Sequence, residues 1–378
     1  MGIRTEDGTS RDQQSLTSVA VVCGGQSPEH EVSIRSARSI LHAIDRAKYR
    51  PTVIVIDMAG RWGVVDEARL GSTDTEMIRF ASHGADVHGV TVTPRAAAVF
   101  QILSGREMRP LEVDIAFPVV HGATGEDGTL QGFCRMVGIP CVGSGVFASA
   151  ACIDKEMTKR LLVDAGIDVA EFVVARPTDT DEEIAASVTE RIGFPCFVKP
   201  ASLGSSIGVS KVARPEDLVP AVRVALQLDD KVLIERAIVG REIECSVLGN
   251  DRPEASVAGE IVTQAEFYSY DTKYLGSGTT SLQIPAQLSA RTMSEVRDTA
   301  IRAYRALGCA GMARVDFFIE GDGRLLVNEI NTLPGFTSIS MYPKMWEASG
   351  LAYPDLIDRL IVLALEKFAA DEAHIGRS

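Results

Sequence analysis

Acidic, basic and amide side chains alternate along a short stretch in the last third of the chain, from Arg314 to Asn331. Two strand-like runs flank the turn 320–323, whose glycines tolerate the positive φ of a tight hairpin. Alternation places Arg314 and Asp316 on one face of the first strand, and Glu329 and Asn331 on one face of the second. If Asp316 pairs near Glu329, the patch suits Mg²⁺ held between carboxylates and substrate phosphates. A half-buried hairpin with a solvated acidic face explains this stretch alone equally well.

Two lysines are candidates for binding phosphate groups. Lys199 ends an apolar run and precedes the small-residue loop 201–208, whose backbone N–H groups can approach phosphates closely. The order differs from a Walker A loop, because the lysine precedes the glycines, and a plain hairpin turn is an equal alternative. Lys155 opens a helical stretch, where a solvated lysine is the ordinary interpretation.

Glu235 and Glu242 flank an apolar connector, residues 237–239. Such an arrangement could hold adenine against an aliphatic wall, with its amino group at Glu235 and the ribose hydroxyls at Glu242. Both carboxylates could equally lie on the surface of a strand.

Two further segments read as loops around a reactive centre. Residues 266–278 are polar, aromatic and punctuated by glycine without a clear period, which is typical of a lid that excludes water. Residues 332–341 follow the hairpin, and there the Gly335 N–H and the Ser340 hydroxyl could bind an oxyanion or a carboxylate.

Alternating strands and helices must position these groups. Strands at 18–23, 51–56, 113–120 and 139–142, with helices from Ser27 and Leu130, predict an open α/β first domain. Strands with short turns then alternate with helices, which indicates α+β architecture. We predict a disordered tail (1–17), a substrate-binding α/β domain (18–150) with a strand and loop insertion at 60–110, and two further subdomains (151–246 and 247–378), the last carrying the lid (264–284).

Composition excludes several classes of function for this chain of 378 residues with a formal net charge of −13. That charge argues against nucleic acid or an anionic membrane as a partner, and no apolar run approaches a membrane span. The seven cysteines are scattered without a C-x-x-C pair, as reduced core thiols of a cytoplasmic protein are. No G-x-G-x-x-G follows Gly24-Gly25, which argues against a dehydrogenase of the Rossmann type.

The motifs together resemble the D-alanine–D-alanine ligases of the ATP-grasp superfamily, in the right order from about residue 18 to 370. The resemblance rests on the following segments: Gly24-Gly25 with 29–33, His121-Gly122 with 125–132, 198–200 with 204–206, 268–274, 314–316 and 328–335. It implies an N-terminal Rossmann-like domain followed by a two-subdomain ATP-grasp fold. The implied reaction joins two D-alanines through an acyl phosphate made from ATP, for peptidoglycan precursor synthesis.

The resemblance also implies roles for individual residues. Nucleotide contacts are expected from Lys155, Lys199, Ser206, Glu235, Arg236, Ile238, Glu242 and Lys273. Two Mg²⁺ ions, or Mn²⁺, are expected on Asp316, Glu329 and Asn331. Glu31 is expected to bind the ammonium of the first substrate in a trio with Ser205 and Tyr274, and His121 to lie near that substrate. Arg314 and Gly335 are expected to stabilise the tetrahedral intermediate, and Ser340 to bind the second carboxylate.

Three other features of the expected enzyme follow from the resemblance. Tyr274 after Lys273 favours D-alanine over D-lactate as acceptor, while Met341 and the lid lie where the second substrate is chosen. We expect a cytoplasmic homodimer. A D-alanine–D-lactate or D-alanine–D-serine ligase and a non-catalytic nucleotide-binding protein are the alternatives, and the intact set of charged residues argues against the last.

Overall fold

The computed structural model describes residues 16–70, 88–94, 99–104, 107–263 and 280–375. Within these ranges, three sheets of seven, four and five strands form the framework. The strands are β1 Thr17–Gly24, β2 Tyr49–Ile56, β3 Trp62–Val65, β4 His88–Val92, β5 Phe100–Ser104, β6 Glu107–Leu111, β7 Ile115–Pro118, β8 Phe172–Ala175, β9 Cys196–Pro200, β10 Ser210–Val212, β11 Val232–Arg236, β12 Gly240–Leu248, β13 Glu254–Thr263, β14 Thr280–Gln283, β15 Met312–Glu320 and β16 Leu325–Asn331.

The α-helices described by the structure lie between these strands and at the C-terminal end. They are α1 His30–Ala43, α2 Thr129–Val137, α3 Val146–Ile153, α4 Lys155–Asp164, α5 Asp181–Arg191, α6 Leu218–Ala225, α7 Ala290–Ala306, α8 Met341–Ala348 and α9 Tyr353–Ile375. Short 3₁₀ turns are present at Glu67–Leu70 and Pro215–Asp217. None of the described helices is long and apolar enough to cross a membrane.

The first sheet has the order β6-β5-β4-β3-β2-β1-β7, with β1 parallel to both β2 and β7. Strands β3 to β6 extend it in antiparallel fashion, so the described part of the 60–110 insertion builds the edge of this sheet. Val19 and Val21 on one face share a buried cluster with Leu356 and Leu360. The C-terminal helix α9 therefore completes the core of the first domain.

The second and third sheets lie on either side of the connector at 237–239. The second has the order β10-β9-β11-β8, and helices α5 and α6 supply its core. The third has the order β14-β13-β12-β15-β16 and packs against α3, α4 and α7. Val315 and Phe317 of β15 are buried in that core, which leaves the alternate side chains of the strand on the opposite face.

Two details of the predicted organisation differ from the structure. β12 begins at Gly240 and pairs with β13 and β15, so the predicted boundary at residue 246 falls inside a strand of the third sheet. Residues 139–142 form a single bridge, between Ala116 and Cys141, where we predicted a strand. Both differences arise from backbone pairing between distant segments, which local patterns do not encode. Residues 1–15 of the predicted tail and residues 264–279 of the predicted lid lie outside the described residues, while Thr17 already belongs to β1.

Candidate active site

A cavity of about 390 Å³ opens between the first domain and the face of the third sheet that carries the hairpin. Eight predicted site residues line it: His121, Lys155, Ser205, Arg314, Glu329, Asn331, Gly335 and Ser340. They come from segments more than 200 positions apart in the sequence, as the numbers of His121 and Ser340 show. The fold therefore gathers groups with acidic, basic and hydroxyl chemistry at one place.

The hairpin of β15 and β16 brings together the polar residues that alternation placed on one face of each strand, through a register shift between Asp316 and Phe317. Asp316 pairs with Glu329, and Arg314 pairs with Asn331. The guanidinium of Arg314 donates two hydrogen bonds to Asp316, from Nε to Oδ1 at 2.7 Å and from Nη2 to Oδ2 at 2.6 Å. Glu244 of β12 approaches from the other side, with its Oε2 3.2 Å from Nε of Arg314. Burial alone would lower the pKa of Arg314, but these carboxylates raise it, so the guanidinium is charged.

The prediction for Glu31 is wrong about its neighbours. The hydroxyl of Ser205 donates to Glu29, which is buried and lines the cavity. The side chain of Glu31 is 45% exposed and lies 3.7 Å from Arg35 one turn along α1. Glu29 is the residue that precedes the first turn of α1, whereas Glu31 lies within that turn. The Ser205 partnership that we predicted for Glu31 belongs to Glu29.

The loop that carries Ser205 has an unusual backbone. Ser205 and Ser206 have φ of 52° and 59°, in the left-handed region that L-residues seldom adopt. Such conformations persist where the surroundings fix them, often at binding sites. The bond from Ser205 to Glu29 ties this loop of the second sheet to the first domain across the cavity.

His121 is buried at the first-domain wall of the cavity beside Glu126. Its Nδ1 lies 3.5 Å from Oε1 of Glu126, and its Nε2 lies 3.3 Å from the Ser36 hydroxyl. Burial alone would lower the pKa of the imidazole, but Glu126 raises it overall. Burial raises the pKa of Glu126 as well. The pair can hold a proton between a buried acid and a buried base.

The predicted phosphate-binding lysines lie at the junction of α4 with the second sheet. Lys155 donates from Nζ to the Leu203 carbonyl at 2.6 Å, and burial lowers its pKa. Lys199 donates to Oε2 of Glu235 at 2.6 Å. Lys159, which the sequence analysis did not single out, lies 3.2 Å from the other oxygen, Oε1. Glu235 thus lies between two ammonium groups, yet a carboxylate has further lone pairs for an adenine amino group.

The remaining predicted nucleotide contacts stand at the edge of this cluster. The side chain of Arg236 pairs with Glu171 at 2.6 Å and with Glu320 at 3.0 Å, so it joins β11 to the hairpin turn. Two carboxylates therefore engage its guanidinium. Ile238 and Glu242 are half-buried on the connector and on β12. Lys273 and Tyr274, which we assigned to the lid, lie outside the described residues.

The loop after the hairpin turns at the base of α8. The Ser340 hydroxyl accepts from the Thr337 N–H at 3.1 Å and lies 2.7 Å from the Thr337 hydroxyl. A Cβ on Gly335 would meet Oγ of Ser340 at 3.2 Å, so only glycine leaves that hydroxyl its present place without adjustment. Ile339 and Met341 line the same end of the cavity and make it apolar.

Four residues of the site were not predicted from the sequence: Glu29, Glu126, Lys159 and Glu244. Glu29 and Glu126 lie within motifs that carried the resemblance, so the signal for them was present. Lys159 follows Lys155 by one helical turn, a spacing that puts both on one face of α4. Glu244 alternates with Glu242 along β12, and nothing in the sequence shows that it lies opposite Asp316.

The chemistry of the hairpin side chains fits a magnesium site. Asp316, Glu329 and Asn331 offer two carboxylates and an amide oxygen from neighbouring strands, which are the ligands Mg²⁺ prefers beside phosphate. Over the described ranges, no three acidic, histidine or cysteine side chains are already gathered for a metal. Asp316 is turned toward Arg314 instead, so binding of the ion would require this carboxylate to change partner.

The fold and this cavity define an enzyme of the ATP-grasp class. The structure superimposes on that of the D-alanine–D-alanine ligase from Coxiella burnetii with a TM-score of 0.85, at 39% identity over 95% of this chain and 97% of that one. It also resembles the VanG D-Ala:D-Ser ligase from Enterococcus faecalis, with a TM-score of 0.82 and 33% identity over 93% and 100% of the two chains.

Sequence comparison identifies the family. Residues 18–144 match the model of the D-ala D-ala ligase N-terminus, and residues 161–362 that of the C-terminus. D-alanine–D-alanine ligase A of Salmonella typhimurium is 47% identical over 94% of this chain and 97% of its own length. The ligase of Sodalis glossinidius is 50% identical over 92% and 94%. The chain belongs to the D-alanine–D-alanine ligase family, which confirms the resemblance.

Proposed function

We propose that this chain joins two D-alanines to D-alanyl-D-alanine at the expense of ATP, through an acyl phosphate, and so supplies a peptidoglycan precursor. The observation that carries the proposal is the convergence on one cavity of Glu29, Ser205, Arg314, Glu329 and Ser340. These groups offer a carboxylate for an ammonium, a guanidinium for an oxyanion, a carboxylate for a metal ion and a hydroxyl donor for a carboxylate.

Binding of the first D-alanine falls to the first domain. The Glu29 carboxylate accepts hydrogen bonds from the ammonium of this D-alanine, and the hydrogen bond from the Ser205 hydroxyl holds the carboxylate in place. Glu29 replaces Glu31 in this role, because Glu29 holds Ser205 at the cavity, whereas the Glu31 side chain is 45% exposed beside Arg35. His121 and Glu126 form a polar wall beside the substrate. The net charge of this pair changes when it gains or loses one proton.

The nucleotide lies over the second sheet in this proposal. Lys155 and Lys199 bind its phosphates, Glu235 and the backbone of 236–238 bind adenine, and Glu242 binds the ribose. Bound on Asp316, Glu329 and Asn331, two Mg²⁺ ions would neutralise the phosphates and make the terminal one a better electrophile. Lys273, Tyr274 and Ser206 complete the nucleotide and lid contacts.

Phosphorylation makes the first carboxylate a competent acyl donor. A carboxylate repels nucleophiles and has a poor leaving group, whereas an acyl phosphate has lost that charge and can expel phosphate. The amine of the second D-alanine attacks the carbonyl carbon, the C–N bond forms, the C–O bond to phosphate breaks, and the ammonium proton passes to solvent or to a nearby base. Arg314 and the Gly335 N–H stabilise the tetrahedral oxyanion, while Ser340 binds the second carboxylate.

An acceptor series tests the proposal. ADP release is measured with ATP, Mg²⁺ and a fixed concentration of D-alanine as donor, alone or with added D-alanine, D-serine, D-lactate or L-alanine as acceptor, and the product is identified by mass. We expect turnover with D-alanine and the mass of the dipeptide, with L-alanine inert. Faster turnover with D-lactate at neutral pH, or no D-alanine-dependent ADP, would refute the proposed activity.

A D-alanine–D-serine ligase is the second candidate, because the similarity to the VanG D-Ala:D-Ser ligase covers 93% of this chain. Mixed incubations with equal D-alanine and D-serine distinguish the two. The dominant product should be D-alanyl-D-alanine, whereas a dominant mixed dipeptide would favour the second candidate. We also propose that the chain is a homodimer in the cytoplasm. Light scattering of the purified chain would measure its mass in solution and so test the oligomeric state.

The metal assignment has its own test. Asp316→Asn removes the carboxylate charge but retains the side-chain volume, and should reduce kcat by a factor of 10² or more, on the order expected for lost electrostatic stabilisation. The variant should also require more Mn²⁺ for nucleotide binding, read from the water proton relaxation of bound Mn²⁺. Unchanged kcat and unchanged Mn²⁺ binding would show that Asp316 is no metal ligand.

A further inference from the structure

Lys159 is among the most completely buried side chains of the molecule, although it is a lysine. It is 1% exposed, and its Nζ lies 3.2 Å from Oε1 of Glu235. Glu235 accepts from Lys199 on its other oxygen at 2.6 Å. A buried ammonium is costly unless a partner compensates it, so this position calls for a physical reason.

The three groups form a chain in which one carboxylate joins two ammoniums. Burial alone would raise the pKa of Glu235, but Lys159 and Lys199 lower it to about 2, so the carboxylate is charged at neutral pH. Burial lowers the pKa of Lys159, and Glu235 counteracts that effect. With all three groups ionised, the cluster of Lys159, Glu235 and Lys199 retains one positive charge.

Removal of Lys159 would change that balance. Lys199 and Glu235 alone form an ion pair with no net charge. A phosphate approaching Lys199 would then be attracted by the lysine and repelled by the neighbouring carboxylate. Glu329 adds a negative field at Lys199, and the buried Lys155 beside both groups offsets the charge of Glu329. A second buried cation on the far oxygen of Glu235 is what leaves the cluster attractive to an anion.

We propose that Lys159 is a positioning residue which neutralises Glu235 and thereby keeps the charge of Lys199 available to the nucleotide phosphates. Lys159 itself does not line the cavity and does not touch the substrate in this proposal. The inference rests on the proposed binding of ATP at Lys199, and it adds a residue that neither the motifs nor the hairpin indicated.

The test uses the full chain and needs no turnover. Dissociation constants of adenosine, AMP, ADP and ATP are measured by competition against a fluorescent nucleotide, at constant Mg²⁺ and without D-alanine. In Lys159→Met, the affinity for adenosine should stay within about twofold, while those for ADP and ATP fall by roughly 10- to 100-fold, as expected on removal of one charge from a buried cluster. A merely structural role would weaken all four ligands alike.

Charge restoration supplies the decisive comparison. Lys159→Met lowers the ratio of the adenosine dissociation constant to the ADP dissociation constant. The double variant Lys159→Met/Glu235→Gln returns the cluster to one positive charge, so this ratio should return to the value of the unaltered protein. Any lost adenine contact changes both constants and leaves this ratio unaffected. Lys48→Met is the control, because it removes one lysine from a carboxylate pair with Asp358 on the first domain. Its ratio should equal that of the unaltered protein.

The outcomes separate the inference from the proposed function. If the unaltered protein binds ADP no better than adenosine, the nucleotide site itself is wrong. If it prefers ADP and Lys159→Met has the same ratio, the role of Lys159 is refuted. Should Lys159→Met fail to fold, as circular dichroism would show, Glu235→Gln alone decides. Its extra positive charge should raise the ratio, and an unchanged ratio would overturn the inference.

Discussion

Exchange of Glu29 for glutamine tests the corrected position of the ammonium site. The change retains the shape of the side chain and an oxygen that can accept from Ser205, but it removes the negative charge. Glu29 is 8% exposed, so water cannot replace the lost charge effectively. A hydrogen bond to a charged group contributes about 1.5–3 kcal/mol. At 1.4 kcal/mol per tenfold, the KM for the first D-alanine should rise roughly 10- to 150-fold.

Glu31→Gln is the matched control on the same helix. It also removes one glutamate charge, but its exposed pair with Arg35 contributes little, about 0.3–0.5 kcal/mol. Initial rates over a wide range of D-alanine at saturating ATP separate the two Michaelis constants. Glu31→Gln should leave both within about twofold of the unaltered values. A large first-substrate defect in Glu31→Gln, with a normal Glu29→Gln, would refute the assignment drawn from the structure.

Two further outcomes concern stability and the acceptor end. Glu156 is buried, and although burial alone would raise its pKa, hydrogen bonds from Lys231 and Arg160 lower it below the ordinary 4.5. This carboxylate therefore stabilises the fold above about pH 4.5 and loses its effect as the pH falls through its folded-state pKa. Glu156→Gln should destabilise the protein by about 2 kcal/mol at pH 7, the size of a lost hydrogen bond to a charged group. The difference in melting temperature from the unaltered protein should shrink in acid, and a difference that grew would contradict this assignment. A Cβ at Gly259 would lie 2.6 Å from Cε of Met341, so Gly259→Ala should push the Met341 side chain into the cavity. The KM for the second D-alanine should then rise about 5- to 10-fold, and the added change Met341→Leu should restore it. An unchanged KM for the second D-alanine would refute this.

The hairpin shows how much local sequence can determine. Alternation placed Arg314 and Asp316 on one face and glycines marked the turn, but the pairing of Asp316 with Glu329 also needs a register shift between Asp316 and Phe317, which the sequence did not indicate. The first β–α–β unit was equally accessible, because β1 and α1 have clear periods and a glycine turn between them. Such features depend on residues close in sequence, whose geometry is fixed by backbone sterics.

The remaining parts of the site depend on contacts between distant segments. Glu29 and Glu31 lie at the entry to α1, and only the path of the preceding loop decides which of them faces the cavity. Lys159 and Glu235 are more than 70 positions apart, and no local pattern reveals that a helix and a strand bring them to 3.2 Å. β12 could not be assigned to its sheet, since its pairing with β15 is decided by the whole fold.

The packing of α9 against the first sheet has a consequence for how the first domain folds during synthesis. Leu356, Leu360 and their neighbours cover Val19 and Val21, and Tyr49 donates to Asp358 at 2.7 Å. β1 is synthesised before α9, so this apolar face of the first domain has no native cover until α9 has also left the ribosome.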